Sequence, residues 1–275
     1  MKRRAHLLTS FALLLVTVLP VLNTGGASAA PPIAQSDRPK LDVPYVPTPR
    51  HIVDKMLELA APTADDYLID LGCGDGRIPI TAAQRFGTRG LGVDIDPRRI
   101  VEARQNADEA GVTDKVEFRQ EDLFQTDISQ ATILTLYLLP SVNIKLRPRI
   151  LKELRPGARV VSHDWDMGDW RADQEVKLGN KKIFMWVVPA SVEGRWQLSD
   201  SETGRSFALT LKQRYQDVEG EADIDGQQVP LQNARIQGDR ISFGLPGENG
   251  DVRRYEGRVA EQVIEGEGWQ AKPLT

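Results

Sequence analysis

The sequence predicts an α/β domain with a Rossmann-like parallel sheet, followed by a small all-β module. Between residues 45 and 190, short apolar runs alternate with amphipathic helical segments, which is typical of a parallel sheet covered on both faces. A glycine-rich loop follows the first apolar run directly. From residue 191 to 275, short alternating segments are separated by glycines, and this pattern favours an antiparallel sheet or barrel.

The first helix of the α/β domain is expected just after Tyr45-Val-Pro-Thr-Pro49. Thr48 suits the N-cap position and Pro49 the first helical position, and apolar residues then recur at helical spacing up to Ala60. Further helices are predicted at 77–86, 97–110 and 142–154. Strands are predicted at 67–71, 90–94, 115–119, 131–137 and 158–163, with an added edge strand at 182–189.

The glycine loop places glycines at positions 72, 74 and 76, after a strand that ends in an acidic residue. Glycine permits the sharp turn into a helix and leaves the backbone bare against a ligand. A dinucleotide site favours G-x-G-x-x-G, but the third glycine of that spacing falls on Arg77. Asp70 and Asp75 add negative charge, which disfavours a pyrophosphate and favours a sulfonium and an ammonium group. The loop therefore predicts S-adenosylmethionine as the cofactor rather than NAD.

Two further acids lie at the predicted ends of successive strands. Asp94 ends the second strand and is suited to accept hydrogen bonds from two ribose hydroxyls, with Asp96 as the competing candidate. Asp122 follows the third strand and is suited to accept from the exocyclic amine of adenine. Because the carboxyl ends of parallel strands meet at one sheet edge, the acids are expected to share a site with the glycine loop.

The chain resembles the class I S-adenosylmethionine-dependent methyltransferases across residues 45–190. Three segments resemble more narrowly the ATP-synthase c-subunit lysine methyltransferase family and its bacterial relatives: Tyr45-Val-Pro-Thr-Pro49, Asp70-Leu-Gly-Cys-Gly-Asp-Gly-Arg-Ile78 and Leu151-Lys-Glu-Leu-Arg-Pro-Gly-Ala-Arg-Val160. The resemblance implies a seven-stranded sheet with an antiparallel hairpin at one edge. It also implies methyl transfer to a protein lysine.

The resemblance assigns roles to residues of this chain. The cofactor-binding residues that it implies are Asp70, Gly72, Gly74, Asp94, Asp122, Tyr45 and Thr48. Within this set, the residues of the glycine loop would line the methionine moiety, the second-strand acid would hold the ribose and the third-strand acid the adenine. The N-terminal pair would belong to a flap over the cofactor.

Acceptor-side residues are expected after the fourth and fifth strands. Tyr137 is the first candidate for the acceptor pocket, and packing under the last helices is the alternative role for its ring. The segment His163-Asp-Trp-Asp-Met-Gly-Asp-Trp170 is a candidate cation-binding rim. An Asn or Asp followed by Pro-Pro-Tyr, which many amino-directed nucleic-acid methylases carry, is absent from the sequence, and this argues against base methylation.

Cysteine and histidine content limits other chemistries. Cys73 is the single cysteine, so an intramolecular disulfide is excluded, and its place inside the glycine loop suits a small side chain better than a nucleophile. The three histidines form no metal-spaced cluster with it or with one another, and no metal site is expected.

The N-terminal residues read as an export signal. A basic Lys2-Arg3-Arg4 start, an apolar stretch and Ala27-Ser28-Ala29 predict a signal peptide at 1–29 that directs the chain to the periplasm or the exterior. An uncleaved membrane anchor is the alternative, and 30–44 is expected to be a linker. The net charge of −4 makes nucleic acid an unexpected partner, although Lys145-Leu-Arg-Pro-Arg149 is a local basic patch.

These observations leave three functional hypotheses. The leading one is a methyltransferase acting on a protein lysine, whose neutral amine attacks the sulfonium methyl. The second is a small-molecule O- or N-methyltransferase. The third is an exported, non-catalytic binding protein on a methyltransferase fold, with the β module as its interaction surface. The predicted export conflicts with a cofactor made in the cytoplasm, and this conflict is what keeps the third hypothesis open.

Overall fold

Two sheets organise the residues that the computed structural model describes, which are 45–247 and 251–274. The predicted signal peptide and linker lie outside them. The first sheet contains β1 (Tyr67–Leu71), β2 (Arg89–Asp94), β3 (Val116–Gln120), β4 (Ile133–Leu136), β5 (Arg159–His163), β6 (Gln174–Leu178) and β7 (Lys181–Val187). Its helices are α1 (Arg50–Ala60), α2 (Arg77–Phe86), α3 (Pro97–Glu109) and α4 (Pro140–Glu153).

The spatial order of the first sheet is β3-β2-β1-β4-β5-β7-β6. The first five strands are parallel, whereas β7 runs antiparallel to β5 and pairs with β6 in a hairpin at the edge. This arrangement confirms the seven-stranded Rossmann-like sheet. The strand order reverses between β1 and β4, which is the position where open α/β sheets bind ligands.

Strand alternation supplies the two cores of this sheet. In β1, Leu68 packs with Ile52 and Met56 of α1 on one face. The next residue, Ile69, packs on the other face in the cluster that includes Leu146 of α4. Because successive side chains of a strand point to opposite faces, a run of buried apolar residues covers both layers at once. The helices therefore cover both faces of the parallel strands, whose carboxyl ends meet at one edge of the sheet.

Element bounds agree with the sequence prediction to within a few residues, with one informative exception. The helix α1 begins at Arg50, its N-cap is Pro49, and no side chain caps it. Thr48 is therefore not the N-cap that the sequence suggested, because its hydroxyl lies against His163 instead. Strand β4 ends at Leu136, so Tyr137 stands just beyond the strand at the sheet edge.

The second sheet is antiparallel. Its strands are β8 (Gly194–Asp200), β9 (Ser206–Arg214), β10 (Asp217–Ile224), β11 (Gln227–Pro230), β12 (Gln232–Gln237), β13 (Arg240–Pro246), β14 (Val252–Ala260), β15 (Val263–Gly266) and β16 (Trp269–Pro273). Pairing of β9 with β10 joins the two ends of the order β10-β12-β13-β14-β15-β16-β8-β9, and β11 pairs with β10 at residues 221–224, on the same edge that meets β12 at Asp217. The sheet is thus a closed eight-stranded barrel with one added strand.

Large side chains fill the barrel. Phe243 stacks on Tyr255 with ring centroids 5.2 Å apart, and Trp269 meets Tyr255 edge-on at 5.4 Å. The buried carboxylate of Asp200 accepts from the Tyr255 hydroxyl at 3.1 Å and pairs with Arg253 Nε at 2.7 Å. The interior is therefore a packed core, with one ionic group that is satisfied by its neighbours.

Both sheets fall in one compact unit, and direct contacts join them. The boundary between a domain at 45–190 and a module at 191–275 stays a prediction about independent folding. Within residues 45–247 and 251–274, every helix is too short or too polar to cross a membrane.

Candidate functional site

A cavity of about 290 Å³ opens at the carboxyl ends of β1 to β4, where the strand order reverses. Its wall includes each site residue predicted from the sequence, namely Tyr45, Thr48, Asp70, Gly72, Gly74, Asp94, Asp122 and Tyr137. The structure therefore brings these eight residues to one place. It adds others that the sequence did not single out, among them Arg99, Glu121, Leu123 and Leu138, and it places Trp165 of the predicted cation-binding rim in the same wall.

The glycine loop forms the floor of the cavity. Gly72, Gly74 and Gly76 have φ angles of 77°, 54° and 77°, a region that side chains other than glycine rarely adopt. The amide nitrogens of Gly72 and Cys73 both donate to the carbonyl of Val93 at 2.9 Å, which ties the loop to β2. The Cys73 thiol is buried, and burial raises its pKa well above the ordinary value, so it is poorly suited to act as a nucleophile.

Asp94, at the end of β2, accepts hydrogen bonds from the glycine loop and from the turn that follows β2. Its Oδ2 accepts from the amide of Gly74 at 3.0 Å and its Oδ1 from the amide of Asp96 at 2.9 Å. Asp96, the competing candidate, caps α3 through the Arg98 amide at 3.0 Å and also pairs with the Arg98 guanidinium. The carboxylate of Asp94 is therefore the better placed of the two to accept from a ligand in the cavity.

Asp70 is the most buried acid of the site, with 2% of its surface exposed. The Thr135 hydroxyl donates to its Oδ1 at 2.7 Å. Burial raises the pKa of Asp70 to about 7, against the effect of the Thr135 hydrogen bond and with a smaller contribution from the nearby charges of Asp94 and Asp75. A cationic group beside this carboxyl would be stabilised by its ionised form.

Asp75 corrects the sequence interpretation, which treated it as a second free charge facing the ligand. The guanidinium of Arg77 grips both of its oxygens, from Nε at 2.8 Å and from Nη2 at 2.5 Å. Burial works to raise the pKa of Asp75, but the Arg77 hydrogen bonds outweigh it and hold the pKa below the ordinary value. The charge of Asp75 is thus neutralised locally, and Asp70 carries the case for a cation.

The segment from Tyr45 to Thr48 lies across the glycine loop, in the position predicted for a flap. Tyr45 packs so closely that a Cβ added at Gly74 would come 2.4 Å from its Cε2. The guanidinium of Arg99 lies 4.4 Å from the centre of the Tyr45 ring. The carbonyl of Thr48 accepts from Arg77 Nη1 at 2.7 Å, so the arginine that holds Asp75 also holds the segment.

The acceptor-side candidates lie beyond β4 and β5. Tyr137 is half-buried in the cavity wall, and its ring centroid is 3.9 Å from that of His163. Trp165, 39% exposed, lines the same cavity. His163 and Trp170 are fully buried, so the predicted cation-binding rim is wrong for these two residues, which pack inside the fold. Burial lowers the pKa of His163 to about 4, against the raising effect of Asp164.

The basic run at 145–149 makes contacts within the chain. Arg149 donates to the carbonyls of Phe124 at 2.6 Å and Thr126 at 2.8 Å, which braces the loop that carries Asp122. Lys145 lies 3.8 Å from the centre of the Phe124 ring. Asp122 itself accepts from the Phe124 amide at 2.9 Å. The run that suggested a local basic patch therefore stabilises the cavity wall.

The residues of the cavity fit S-adenosylmethionine. Bare glycine backbone and a buried acid suit an amino acid with a cationic sulfur, and carboxylates at the ends of β2 and β3 suit ribose and adenine donors. The apolar side chains of Ile95, Leu123 and Leu138 line the same cavity and could pack against a base. Residues 45–247 and 251–274 contain no group of three His, Cys, Asp or Glu side chains placed to hold a metal ion.

Comparisons with known proteins point to the same cofactor. Residues 70–174 match the family model described as the ANTKMT methyltransferase domain. The chain is 44% identical over 151 residues to a protein-lysine N-methyltransferase of Saccharolobus islandicus, a match that covers 53% of this chain and 94% of that protein. It is 26% identical over 152 residues to the human lysine N-methyltransferase of the ATP-synthase c-subunit, covering 55% of this chain and 64% of that protein.

A solved structure is also similar. It is a Salinibacter ruber protein described as an RNA methyltransferase, crystallised with S-adenosyl-L-homocysteine. The identity is 56% and the TM-score 0.53, and the match covers 54% of this chain and 96% of that one. The names of these proteins thus agree on methyl transfer and differ on the acceptor, and the barrel lies outside the residues matched by the family model.

Proposed function

This chain belongs to the family of S-adenosylmethionine-dependent methyltransferases that includes the Saccharolobus lysine N-methyltransferase, and we propose that its acceptor is the amine of a protein lysine. S-adenosylmethionine supplies an electrophilic methyl group on a sulfonium. The chain's own residues would have to present a neutral amine to that group. The proposal rests on the aromatic wall formed by Tyr137 and Trp165.

The strand order separates the cavity into two sides. The ends of β2 and β3, with Asp94 and Asp122, lie on one side of β1, and the ends of β4 and β5 lie on the other. Tyr137 follows β4 and Trp165 follows β5. Polar groups that would hold a nucleoside are therefore concentrated on one side, whereas an aromatic wall borders the other. This leaves the aromatic side for the acceptor.

An aromatic, partly desolvated wall suits a lysine acceptor. The amine attacks only in its neutral form, and a poorly hydrated site disfavours the ammonium form of the side chain. Aromatic faces also attract the ammonium group before it loses its proton. The ring of His163, tilted against that of Tyr137, stays neutral above its lowered pKa of about 4 and adds no positive charge there. The ammonium of Lys181 does lie near this wall, 5.9 Å from the centre of the Tyr137 ring, but it pairs with Asp164 at 2.5 Å.

RNA is the acceptor named for the Salinibacter protein, and a small molecule was the alternative raised by the sequence. Protein is favoured over RNA here because the basic run at 145–149 is engaged within the chain and the net charge is −4. An acidic surface binds a polyanion poorly.

Two measurements test the proposed function. Calorimetric titration of the full chain with S-adenosyl-L-homocysteine should give saturable binding, and absence of heat together with absence of a thermal shift would support a non-catalytic protein instead. Transfer of labelled methyl groups to separated protein, RNA and metabolite fractions should label protein, with methyllysine found after hydrolysis. Label confined to RNA or to metabolites would overturn the lysine assignment. The Asp94→Ala variant serves as the inactive control.

We also infer export from residues 1–29, which lie outside the described part of the chain. The basic start, the apolar stretch and the Ala27-Ser28-Ala29 site support this inference. Fractionation of cells that produce the chain with a C-terminal tag tests it. N-terminal sequencing should give Ala30 as the first residue of the exported form, and an uncut chain in the membrane fraction would support the anchor instead.

A further inference from the structure

The connection between β5 and β6, residues 164–173, carries one wall of the cavity. Trp165 stands in this β5–β6 loop and lines the cavity with 39% of its surface exposed. From the side of the first sheet, α4 holds the loop. Asn143 Nδ2 donates to the carbonyl of Trp165 at 3.2 Å, and Arg147 Nη1 donates to the carbonyl of Met167 at 2.7 Å.

The barrel holds the same loop from the other side, through the turn between β9 and β10. Arg214 Nη2 pairs with Asp169 Oδ2 at 2.7 Å, and the Tyr215 hydroxyl donates to Asp169 Oδ1 at 3.2 Å. Gln216 Nε2 donates to the carbonyl of Arg171 at 2.6 Å. Three successive residues of this hairpin, the last of β9 and the two of the turn, thus contact the loop.

Aromatic packing reinforces these polar contacts. The Tyr215 ring stacks on Trp170 with centroids 5.9 Å apart and planes 24° apart, and Trp170 is fully buried. The guanidinium of Arg147, which also pairs with Asp169, lies 5.5 Å from the centre of the Tyr215 ring. Asp169 therefore accepts from α4 and from the barrel at once, and the loop is clamped between them.

The backbone conformation at Tyr215 supports a role for its side chain in holding the β5–β6 loop. Tyr215 has a φ of 57°, an uncommon value for a residue with a side chain. A glycine or asparagine would adopt that conformation at lower cost, so the tyrosine is accounted for by the contacts that its side chain makes. Those contacts are with the β5–β6 loop rather than with the barrel's own core, which suggests a role outside the barrel.

We propose that the barrel positions the acceptor-side wall of the cavity, with Tyr215 as the positioning residue that fixes the β5–β6 loop and hence Trp165. The assignment of Trp165 to the acceptor side rests on the proposed function. The contacts of Tyr215 reach Trp170 and Asp169, and the backbone of the β5–β6 loop, with its bridge between Met167 and Trp170, connects them to Trp165. The barrel thereby becomes part of the machinery that selects the acceptor.

The test compares Tyr215→Ala with Tyr215→Phe in the full chain labelled with 5-fluorotryptophan. The Trp165 resonance, assigned with Trp165→Phe, is the readout, because no contact joins Tyr215 to Trp165 directly. It should shift and broaden in Tyr215→Ala and recover most of its wild-type position in Tyr215→Phe, which keeps the stacked ring. Amide hydrogen exchange in residues 165–171 should be faster than in wild type in Tyr215→Ala and close to the wild-type rate in Tyr215→Phe.

The barrel's own resonances control for unfolding. Trp196 and Trp269 lie in its core and should be unchanged in both variants. If Tyr215→Ala fails to fold, Gln216→Ala replaces it, since this change removes one exposed hydrogen bond to Arg171 and should raise exchange at residues 170–172. An unchanged Trp165 resonance and unchanged exchange in a folded variant would overturn the proposal.

Calorimetry with S-adenosyl-L-homocysteine separates the two proposals. Its Kd should stay within about twofold of wild type in Tyr215→Ala, because the loop lies on the opposite side of β1 from Asp94 and Asp122. A wild-type chain that does not bind would contradict the proposed function while leaving the fluorine result standing. A large loss of affinity in Tyr215→Ala would show that the barrel supports the cofactor side and would overturn the acceptor-side assignment.

Discussion

The hydroxyl of Thr48 lies 3.3 Å from Nδ1 of His163, a residue 115 positions further along the chain. The carbonyl of the same threonine accepts from Arg77, which grips Asp75 in the glycine loop. One residue thus contacts both sides of the cavity, since the ring of His163 in turn packs against that of Tyr137. The N-terminal segment is therefore tied to the acceptor side as well as to the cofactor side.

Replacing Thr48 by valine should lower the free energy of unfolding by about 1 kcal/mol, because it leaves the buried Nδ1 of His163 without its hydrogen bond. Thr48→Ser keeps the hydroxyl and should lose less. Chemical denaturation at neutral pH measures both. A loss in Thr48→Ser with little or no loss in Thr48→Val would mean that the methyl group, rather than the hydrogen bond, stabilises the segment.

The pKa of His163 gives the pH dependence of this contact. It is lowered to about 4 from an ordinary value of 6.5, so the contribution of the buried neutral ring to stability is complete above 6.5 and is lost as the pH falls toward 4. The histidine ring resonances, assigned with His163→Gln, should show no titration of His163 at or above pH 6. A midpoint near 6.5 would contradict burial of the neutral form.

Asp94→Ala should weaken binding of S-adenosyl-L-homocysteine by at least about tenfold, because it removes the acceptor proposed for the ribose and frees the Gly74 amide. Asp108→Ala, an exposed acid on α3 outside the cavity wall, is the matched control and should bind like wild type. Calorimetry gives both values. Unchanged affinity in Asp94→Ala would show that the ribose assignment is wrong.

Gly74→Ala should destabilise the chain by more than the backbone cost alone and should reduce cofactor affinity strongly, because its Cβ would collide with the ring of Tyr45. The control is Gly111→Ala. That glycine has a similar φ of 66° but no atom within 4 Å of the added Cβ, so its cost should be about 1–2 kcal/mol from backbone strain.

The double variant Tyr45→Ala with Gly74→Ala isolates the collision. Thermal unfolding should show that Gly74→Ala costs less stability in the Tyr45→Ala background than in the wild-type chain, because the ring that collides with the added Cβ is absent there. If the loss in the double variant equals the sum of the losses in the two single variants, the Tyr45 ring moves aside freely and does not collide with the added Cβ.

Asp70→Asn should change how stability depends on pH. Between 3.8 and about 7 the folded chain keeps a proton on Asp70 that the unfolded chain releases, so the contribution of this group to stability falls as the pH rises through that window. Each pKa unit corresponds to about 1.4 kcal/mol. The asparagine variant lacks this loss and should gain stability relative to wild type as the pH is raised from acid to neutral.

Thermal unfolding without ligand measures the difference, and Asp108→Asn should follow the wild-type profile. Parallel profiles for wild type and Asp70→Asn would show that Asp70 titrates like an exposed acid. Cofactor affinity supplies a second readout, because the neutral amide lacks the charge that would stabilise a cationic ligand.

The sequence predicted the parts of this structure that depend on local order. The apolar run of β1 and the helical spacing of apolar residues in α2 predicted the observed bounds of both elements, because the glycine loop separates the two patterns. The acids of the site were found because parallel strands bring their carboxyl ends together. Each is marked in the sequence by its place at the end of a strand.

The parts that the sequence did not predict depend on distant partners. The neutralisation of Asp75 by Arg77 was open to detection from their spacing, but the role of Arg77 in holding Thr48 was not. Burial of His163 and Trp170 follows from packing of elements remote in sequence, and composition alone suggested an exposed rim. Closure of the barrel likewise depends on pairing of β8 with β16, which lie far apart in the chain, in a register that alternation does not encode.

In the barrel, β8 pairs on one side with β9 and on the other with β16, the last strand in chain order. On the ribosome, β8 therefore emerges well before its second neighbour is synthesised, and its edge stays open until residues 269–273 follow. All strands of the first sheet have been translated by then. A chain that stopped after β15 would leave one edge of β8 and one edge of β15 unpaired, and open strand edges of this kind can pair with another chain.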